Sequence, residues 1–258
     1  MKLKKEKIMN DLFSLKNKKV LITGASSGIG SEIAIQTASM DADVILLARN
    51  KERLNAVSQT ITNKNNKIPQ CFVCDLTSKD DLDKLVNDLE PIDGLVLNAG
   101  AVKLAPVAFI KDNILDELFE LNIKSSIRLL QRLIKYKKIK KGASIVFISS
   151  IATQKATIGN AVYNSSKGAV NSFVKSLALE TASKQIRVNA VLPGFVPTAI
   201  LCEDKISNEE LENHKKNYPL GRFGKPEDIA YLSIYLLSDA SQWMTGALIN
   251  LDGGFSLK

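Results

Sequence analysis

Tyr163-Asn164-Ser165-Ser166-Lys167 sets a phenol and an ammonium group four residues apart. On a helix that spacing puts both side chains on one face, where they address one pocket. A nearby ammonium favours the phenolate, so Lys167 is expected to draw the Tyr163 pKa below its reference of ~10. The chemistry open to such a pair is proton transfer near neutral pH. The pattern alone says little in a lysine-rich chain, and Tyr136-Lys137-Lys138-Ile139-Lys140 repeats it. That second copy lies in a basic run at a predicted helix end, where lysine complements the helix dipole. Tyr163 is set apart by Ser149-Ser150, which closes a strand-like run and supplies a hydroxyl thirteen residues upstream.

A second group of residues suits phosphate. Lys19–Thr23 reads as a strand and runs into Gly24-Ala25-Ser26-Ser27-Gly28-Ile29-Gly30, followed by the helical Ser31–Ser39. Glycines there permit a tight turn and let backbone N–H groups approach a pyrophosphate at a helix N-terminus. The spacing is G-x-x-x-G-x-G, and glycine also serves ordinary turns. Its place between the first strand and a helix favours dinucleotide binding. The second strand ends in Leu47-Ala48-Arg49-Asn50, without the carboxylate that would accept from the ribose hydroxyls of NAD. Arg49 instead offers a planar guanidinium to a 2′-phosphate, with Lys51 and Arg53 as further candidates. NADP(H) is therefore expected in preference to NAD(H). Asp75, in Cys74-Asp75-Leu76-Thr77, is expected to accept from the adenine amino group, and Asn98-Ala99-Gly100 to support the cofactor from below. Both segments also suit plain turns.

These residues need a scaffold that brings strand ends together. Short apolar runs at Lys19–Thr23, Val44–Ala48, Gln70–Cys74, Gly94–Leu97, Ser144–Ser149, Arg187–Leu192 and Ala247–Leu251 alternate with stretches of helical periodicity such as Asp80–Leu89, Leu115–Leu133 and Val162–Leu179. The alternation predicts an α/β protein with about seven parallel strands covered by helices on both faces, in the doubly wound Rossmann-type arrangement. Ligands then bind at the carboxyl ends of the strands. With 258 residues, 45% hydrophobic and 24% charged, the chain suits one globular unit rather than a disordered one. A basic, flexible leader is expected over residues 1–16, and a single domain over 17–258.

The formal charge is +8, with a net +5 in residues 1–20 and +6 in residues 132–141, so the remainder is −3. Neither basic segment carries the aromatic or groove-reading elements of a nucleic-acid site, and nucleic acid is not an expected partner. The longest apolar stretches, such as Ser144–Ala152, fall far short of the ~18–20 residues that span a bilayer, so no membrane is expected. Asn10, Asp11 and Ser14 interrupt Ile8–Leu15, against a signal peptide. Three cysteines make no disulfide framework and suit a reducing cytoplasm. Cys71 and Cys74, three apart on a predicted strand, point to opposite faces, so no shared metal is expected; Cys202 stands alone in a predicted loop. His214, the one histidine, lies in the polar stretch Asn208–Asn217 and reads as a surface residue.

Together, Thr23–Gly30, Asn98–Gly100, Asn122, Ser150, Tyr163–Lys167 and Pro193-Gly194 resemble the short-chain dehydrogenase/reductase family, over roughly residues 17–256. The resemblance implies hydride transfer between a nicotinamide and a carbonyl or secondary alcohol. In that family's terms Tyr163 is the general acid/base and Ser150 orients the carbonyl. Lys167 holds the nicotinamide ribose and lowers the tyrosine pKa, and Asn122 maintains a water chain for proton relay. Ser150 rather than Ser149 takes the serine role by its spacing to Tyr163. Leu192–Thr198 resembles the P-G-x-x-x-T segment, which implies cofactor contacts from Pro193, Gly194, Val196 and Thr198; the same resemblance extends them to Ser26, Ser27, Ile29 and Leu76. Pro219–Ala230 and Thr245-Gly246 with Asp252-Gly253-Gly254 resemble the branch of 3-oxoacyl-[acyl-carrier-protein] reductases, which implies a homotetramer or dimer. An acidic acyl carrier protein is then a candidate partner beside a small-molecule substrate, with Lys141, Lys184 and the 135–141 run as its expected dock. Small alcohols, sugars, steroids and cyclic ketones are alternative substrates. A non-catalytic cofactor-sensing protein has no need of Asn122, Ser150, Tyr163 and Lys167 together. Residues 196–218 are polar and irregular, as a substrate lid is. Phe147, where many members carry Asn, and the lysine-rich leader depart from the pattern.

Overall fold

The computed structural model describes residues 12–198 and 208–258. The apolar runs form seven strands: β1 (Lys19–Thr23), β2 (Asp43–Ala48), β3 (Gln70–Val73), β4 (Ile92–Leu97), β5 (Ile139–Ile148), β6 (Arg187–Pro193) and β7 (Leu248–Leu251). They make one sheet in the order β3-β2-β1-β4-β5-β6-β7, and every pairing is parallel. Alternate residues of a strand face opposite sides, so each strand feeds two cores. Leu21, Leu95 and Ile145 face one, and Val20, Val96 and Val146 face the other. Helices α1 (Gly28–Ser39), α2 (Lys51–Asn65) and α8 (Pro226–Leu237) cover the second core. The first is covered by α3 (Lys79–Asp88), α5 (Ser125–Lys135) and α6 (Ala161–Thr181). Strand order reverses between β1 and β4, which opens a crevice at their carboxyl ends.

Four boundaries differ from the expectation. The apolar stretch Leu115–Leu133 is not one helix. It is α4 (Asp112–Phe119), a π-turn over Glu120–Lys124 and then α5, a change in hydrogen-bond step that hydrophobic spacing does not report. β5 begins at Ile139, because Ile92 pairs with Ile139 before a register shift and Gly94 pairs with Ser144; exposed Lys140, Lys141 and Gly142 mask that start in the sequence. Helix α7 (Asn208–Lys215) occupies part of the expected lid, while residues 199–207, Cys202 included, lie outside the described residues. At the amino end, Leu15 is fully buried and its N–H donates to Met40 O at 3.0 Å. Phe13 lies 6.2 Å from the Tyr235 ring. The folded unit thus includes the end of the expected leader, of which residues 1–11 lie outside the described residues. Cys74 belongs to the first core and Cys71 packs against the second, on opposite sides of the sheet. Among the described residues, no helix is long and apolar enough to cross a membrane.

Candidate active site

The glycine turn is held shut by its neighbours. Gly24 and Gly28 have φ of 65° and 57°, in the left-handed region that costs other residues strain. A β-carbon on Gly30 would stand 2.2 Å from Gly24 O and 2.4 Å from Asn98 Nδ2. Asn98 sits just past β4, and its amide donates to Thr23 O at 3.2 Å and Gly24 O at 3.3 Å. Its backbone N–H donates to Thr23 Oγ1 at 3.0 Å. Asn98 therefore ties two strand ends at the crevice and fixes the turn from behind. Beyond the turn α1 begins with Ser27 as N-cap, without a side-chain cap and without an acid in its first turn, which leaves the positive end of the helix dipole unopposed. From the other side, the methyl of Thr198 stands 3.2 Å from where a Gly28 β-carbon would be. A close backbone approach, an uncapped helix N-terminus and a covering segment are what a dinucleotide phosphate requires.

The acid–base residues meet on the same sheet edge. Ser149 and Ser150 follow β5, and Tyr163 lies in the first turn of α6 with Lys167 one turn on. The Ser150 hydroxyl stands near enough to the Tyr163 phenol to favour its ionised form. Burial pushes that phenol above its usual 10, and the Ser150 contact pulls it back. The Lys167 ammonium donates to Ile148 O at 2.8 Å. Burial lowers the Lys167 pKa from 10.5 to about 8. Its Nζ lies 3.5 Å from the position of a Gly100 β-carbon, so the ammonium faces the end of β4 and the crevice. Asn122, in the π-turn, accepts from Ala101 N at 2.8 Å and donates to Ala101 O and Ser166 Oγ, both at 3.0 Å. Ser166 Oγ in turn donates to Tyr163 O at 2.7 Å. Both ends of the Asn122 amide are thus engaged in clamping the loop after β4 to the helix that carries Tyr163.

The family model described as Enoyl-(Acyl carrier protein) reductase matches residues 24–256. The chain is 35% identical over 243 residues to the 3-oxoacyl-[acyl-carrier-protein] reductase FabG of Rickettsia bellii (strain RML369-C), across 94% of this chain and 98% of that one. It superposes on a short-chain type dehydrogenase/reductase of Mycobacterium ulcerans with a TM-score of 0.88 at 28% identity, over 95% of this chain and 92% of that one. The chain belongs to the short-chain dehydrogenase/reductase family. As such it is an oxidoreductase, of the FabG-like branch. A Beutenbergia cavernae protein described as an NAD(P)-dependent gluconate 5-dehydrogenase, solved with NADP at low occupancy, is also similar. Its TM-score is 0.87 at 28% identity, over 96% of this chain and all of that one.

In this short-chain dehydrogenase/reductase the residues expected to hold the cofactor line the carboxyl ends of the strands. The Leu76 and Val196 side chains are buried in the two cores, which leaves their backbones at the edge. Asp75 accepts from both the N–H and the hydroxyl of Thr77, at 2.9 and 2.8 Å. Burial alone would raise its carboxyl pKa, but these bonds and the Arg49 charge hold it low. Arg49 is exposed at the end of β2. Asp252 closes the far turn by accepting from Gly254 N and Ser256 N, and Gly194 approaches it too closely for a side chain. Phe147, the departure from the family pattern, fills the first core and meets Phe173 edge-on at 6.1 Å. His214 is not a plain surface residue: its ring packs 5.5 Å from Phe195 and Phe223, 5.7 Å from Tyr218 and 5.8 Å from Phe255. The expected carrier dock lies at the opposite end of the strands from the acid–base residues. Lys137 and Lys184 border a cleft with Ile134, Ile139 and Ile186 at the amino ends of β5 and β6. Ile139 pairs with Ile92 and Phe147 with Leu97, so the cleft lies about seven strand steps from Ser149, a distance of ~23 Å at about 3.3 Å per residue.

What sequence reasoning missed is the packing around the serines. Ser149 Oγ donates to Asn171 Oδ1 at 2.6 Å, and Asn171 Nδ2 donates to Thr153 Oγ1 at 2.9 Å. Asn171 stands four residues after Lys167 on one helix, so the spacing that singles out Tyr163 and Lys167 also reaches it.

Proposed function

We propose that this family member interconverts a carbonyl and a secondary alcohol with NADP(H), and that its substrate is a 3-oxoacyl thioester. NADPH, when bound, supplies a hydride to the carbonyl carbon. Tyr163 gives its phenolic proton to the carbonyl oxygen as the C=O π bond breaks, and Ser150 donates a hydrogen bond to that oxygen and steadies its charge. Lys167 faces the crevice where the nicotinamide ribose is to be held, and Asn122 keeps the loop after β4 and helix α6 in register. The observation that carries the reading is the approach of the Ser150 hydroxyl to the half-buried Tyr163 phenol on the sheet edge that also bears the glycine turn. Arg49 at the end of β2, with no acid in its place, supports the choice of NADP(H). The FabG relative supports the acyl substrate. A sugar acid is the second reading, supported by the likeness to the gluconate protein.

The test is a panel of 3-oxoacyl thioesters, enoyl thioesters, sugars and simple ketones, assayed with NADPH and with NADH. Tyr163→Phe is expected to abolish turnover and to leave NADPH binding, read by fluorescence titration, close to that of the parent. Retained turnover in that variant removes Tyr163 from the proposed role.

A further inference from the structure

We infer that Asn171 is a positioning residue for Ser150, acting through Ser149 and Thr153, an inference that rests on the acid–base role proposed for Tyr163 and Ser150. Three elements converge there. Ser149, at the end of β5, has its N–H bonded to Val191 O on β6 at 2.8 Å, and its hydroxyl donates to Asn171 Oδ1 at 2.6 Å. Asn171, on α6, donates through Nδ2 to Thr153 Oγ1 at 2.9 Å. Thr153, in the short turn after β5, donates through that same hydroxyl to Ser150 O at 2.9 Å. The contacts close a ring from residue 149 through 171 and 153 back to 150. Both ends of the Asn171 amide are engaged in it, Oδ1 accepting from Ser149 and Nδ2 donating to Thr153, and the Ser149 hydroxyl also lies 3.5 Å from Lys167 O on the same helix.

The ring matters because Ser150 and Tyr163 sit on different elements. Ser150 is carried by the strand end and the turn after it, and Tyr163 by α6. No backbone hydrogen bond of the helix or the sheet sets the distance between them. Asn171 spans that joint: it lies on the helix that carries Tyr163 and grips the residues before and after Ser150. The Ser150 hydroxyl itself accepts from Ala152 N at 3.1 Å, which sets its rotamer but not its distance from the helix. Reaction geometry is sensitive on the scale of about 1 Å, where a displacement costs up to roughly a hundredfold in rate.

Asn171→Leu keeps the volume and removes both bonds. It is expected to lower kcat roughly 10–100-fold while the Kd for NADPH stays within about twofold of the parent. In the alcohol-oxidation direction, the acidic limb of the kcat/KM profile is expected to move to higher pH, since Ser150 is the contact that eases ionisation of Tyr163. Thr153→Val should reproduce both effects and Thr153→Ser should restore them. The double variant Asn171→Leu/Thr153→Val should be no slower than either single variant, because the ring acts as one unit. If Asn171→Leu does not fold, Asn171→Asp carries the test: it keeps the acceptor for Ser149 and loses the donor to Thr153. Parental kcat and pH profile in the folded variants, or losses that multiply in the double variant, overturn the inference. Tyr163→Phe run in parallel separates the two layers. If it is inactive while Asn171→Leu behaves like the parent, only the positioning role falls; if it retains turnover, both fall.

Discussion

Arg49 stands exposed at the carboxyl end of β2, close enough for its charge to help hold the Asp75 carboxyl ionised. A guanidinium in that position meets a 2′-phosphate with paired N–H donors, and a hydrogen bond to a charged group is worth ~1.5–3 kcal/mol. Arg49→Asp removes that donor and offers an acceptor to ribose hydroxyls. The ratio of kcat/KM for NADPH over NADH is expected to fall by roughly 10–100-fold. An unchanged ratio would place the selection on Lys51 or Arg53. Tyr163, Lys167, Ser150 and Asn122 were legible in the sequence because helix spacing and strand ends determine where such side chains emerge. Their electrostatics were not. The i, i+4 spacing brings Lys167 to the right face but does not say that its ammonium turns to Ile148 O, or that burial takes it down to about 8. Ser149 had no role in the sequence for the same reason, since its partner Asn171 is twenty-two residues away.

At the scale of elements, α7 meets an aromatic cluster through His214 and Lys215. The ring of His214 enters a cluster made by Phe195, Tyr218, Phe223 and Phe255, which lie before and after the helix and at the carboxyl end of the chain. Burial holds the His214 pKa below its usual 6.5. The folded state therefore takes up a proton less readily than the unfolded chain. The contribution of the neutral ring is complete above about pH 6.5 and is lost as the pH falls through the lower, folded pKa. Two ammonium groups already face the cluster, Lys155 over Phe255 at 4.6 Å and Lys215 over Phe223 at 5.9 Å, and each opposes a further positive charge. Amide hydrogen exchange in α7 is expected to quicken on acidification from about pH 7.5 to 5.5, relative to exchange in α6, and His214→Phe is expected to flatten that dependence. Equal acid sensitivity in the variant would show that another group is responsible. The strands themselves were readable because burial on both faces leaves unbroken apolar runs. The π-turn was not, because buried Leu118 before the break, Ile123 within it and Leu129 beyond it keep an apolar stripe running across it.

Across the whole molecule, the sheet has a reactive edge and a basic edge. The glycine turn, Asn98, Ser150 and Tyr163 lie at the carboxyl ends of the strands, and Lys137, Lys140, Lys141 and Lys184 at the amino ends of β5 and β6. Part of the basic run is engaged locally: Arg132 pairs with Asp83, Lys140 with Asp93, and Lys138 donates to Leu89 O. A carrier seated there would stand a full strand length from the phenol. Charge reversal at Lys137 and Lys141 together is accordingly expected to leave the KM for a carrier-bound 3-oxoacyl substrate unchanged, in steady-state assays at low salt, where surface charge acts most strongly. A several-fold rise would show that the carrier reaches across the sheet. The charge distribution and its place before the strand were legible in the sequence, but the start of β5 at Ile139, which carries Lys140 and Lys141 into the strand itself, was not, because it depends on the register shift before Gly94 and Ser144. The same polarity offers a practical handle: a single cysteine introduced at exposed Lys137 would let the protein be tethered to a bead or a sensor chip by its rear, with the mouth of the crevice turned outward to the solution.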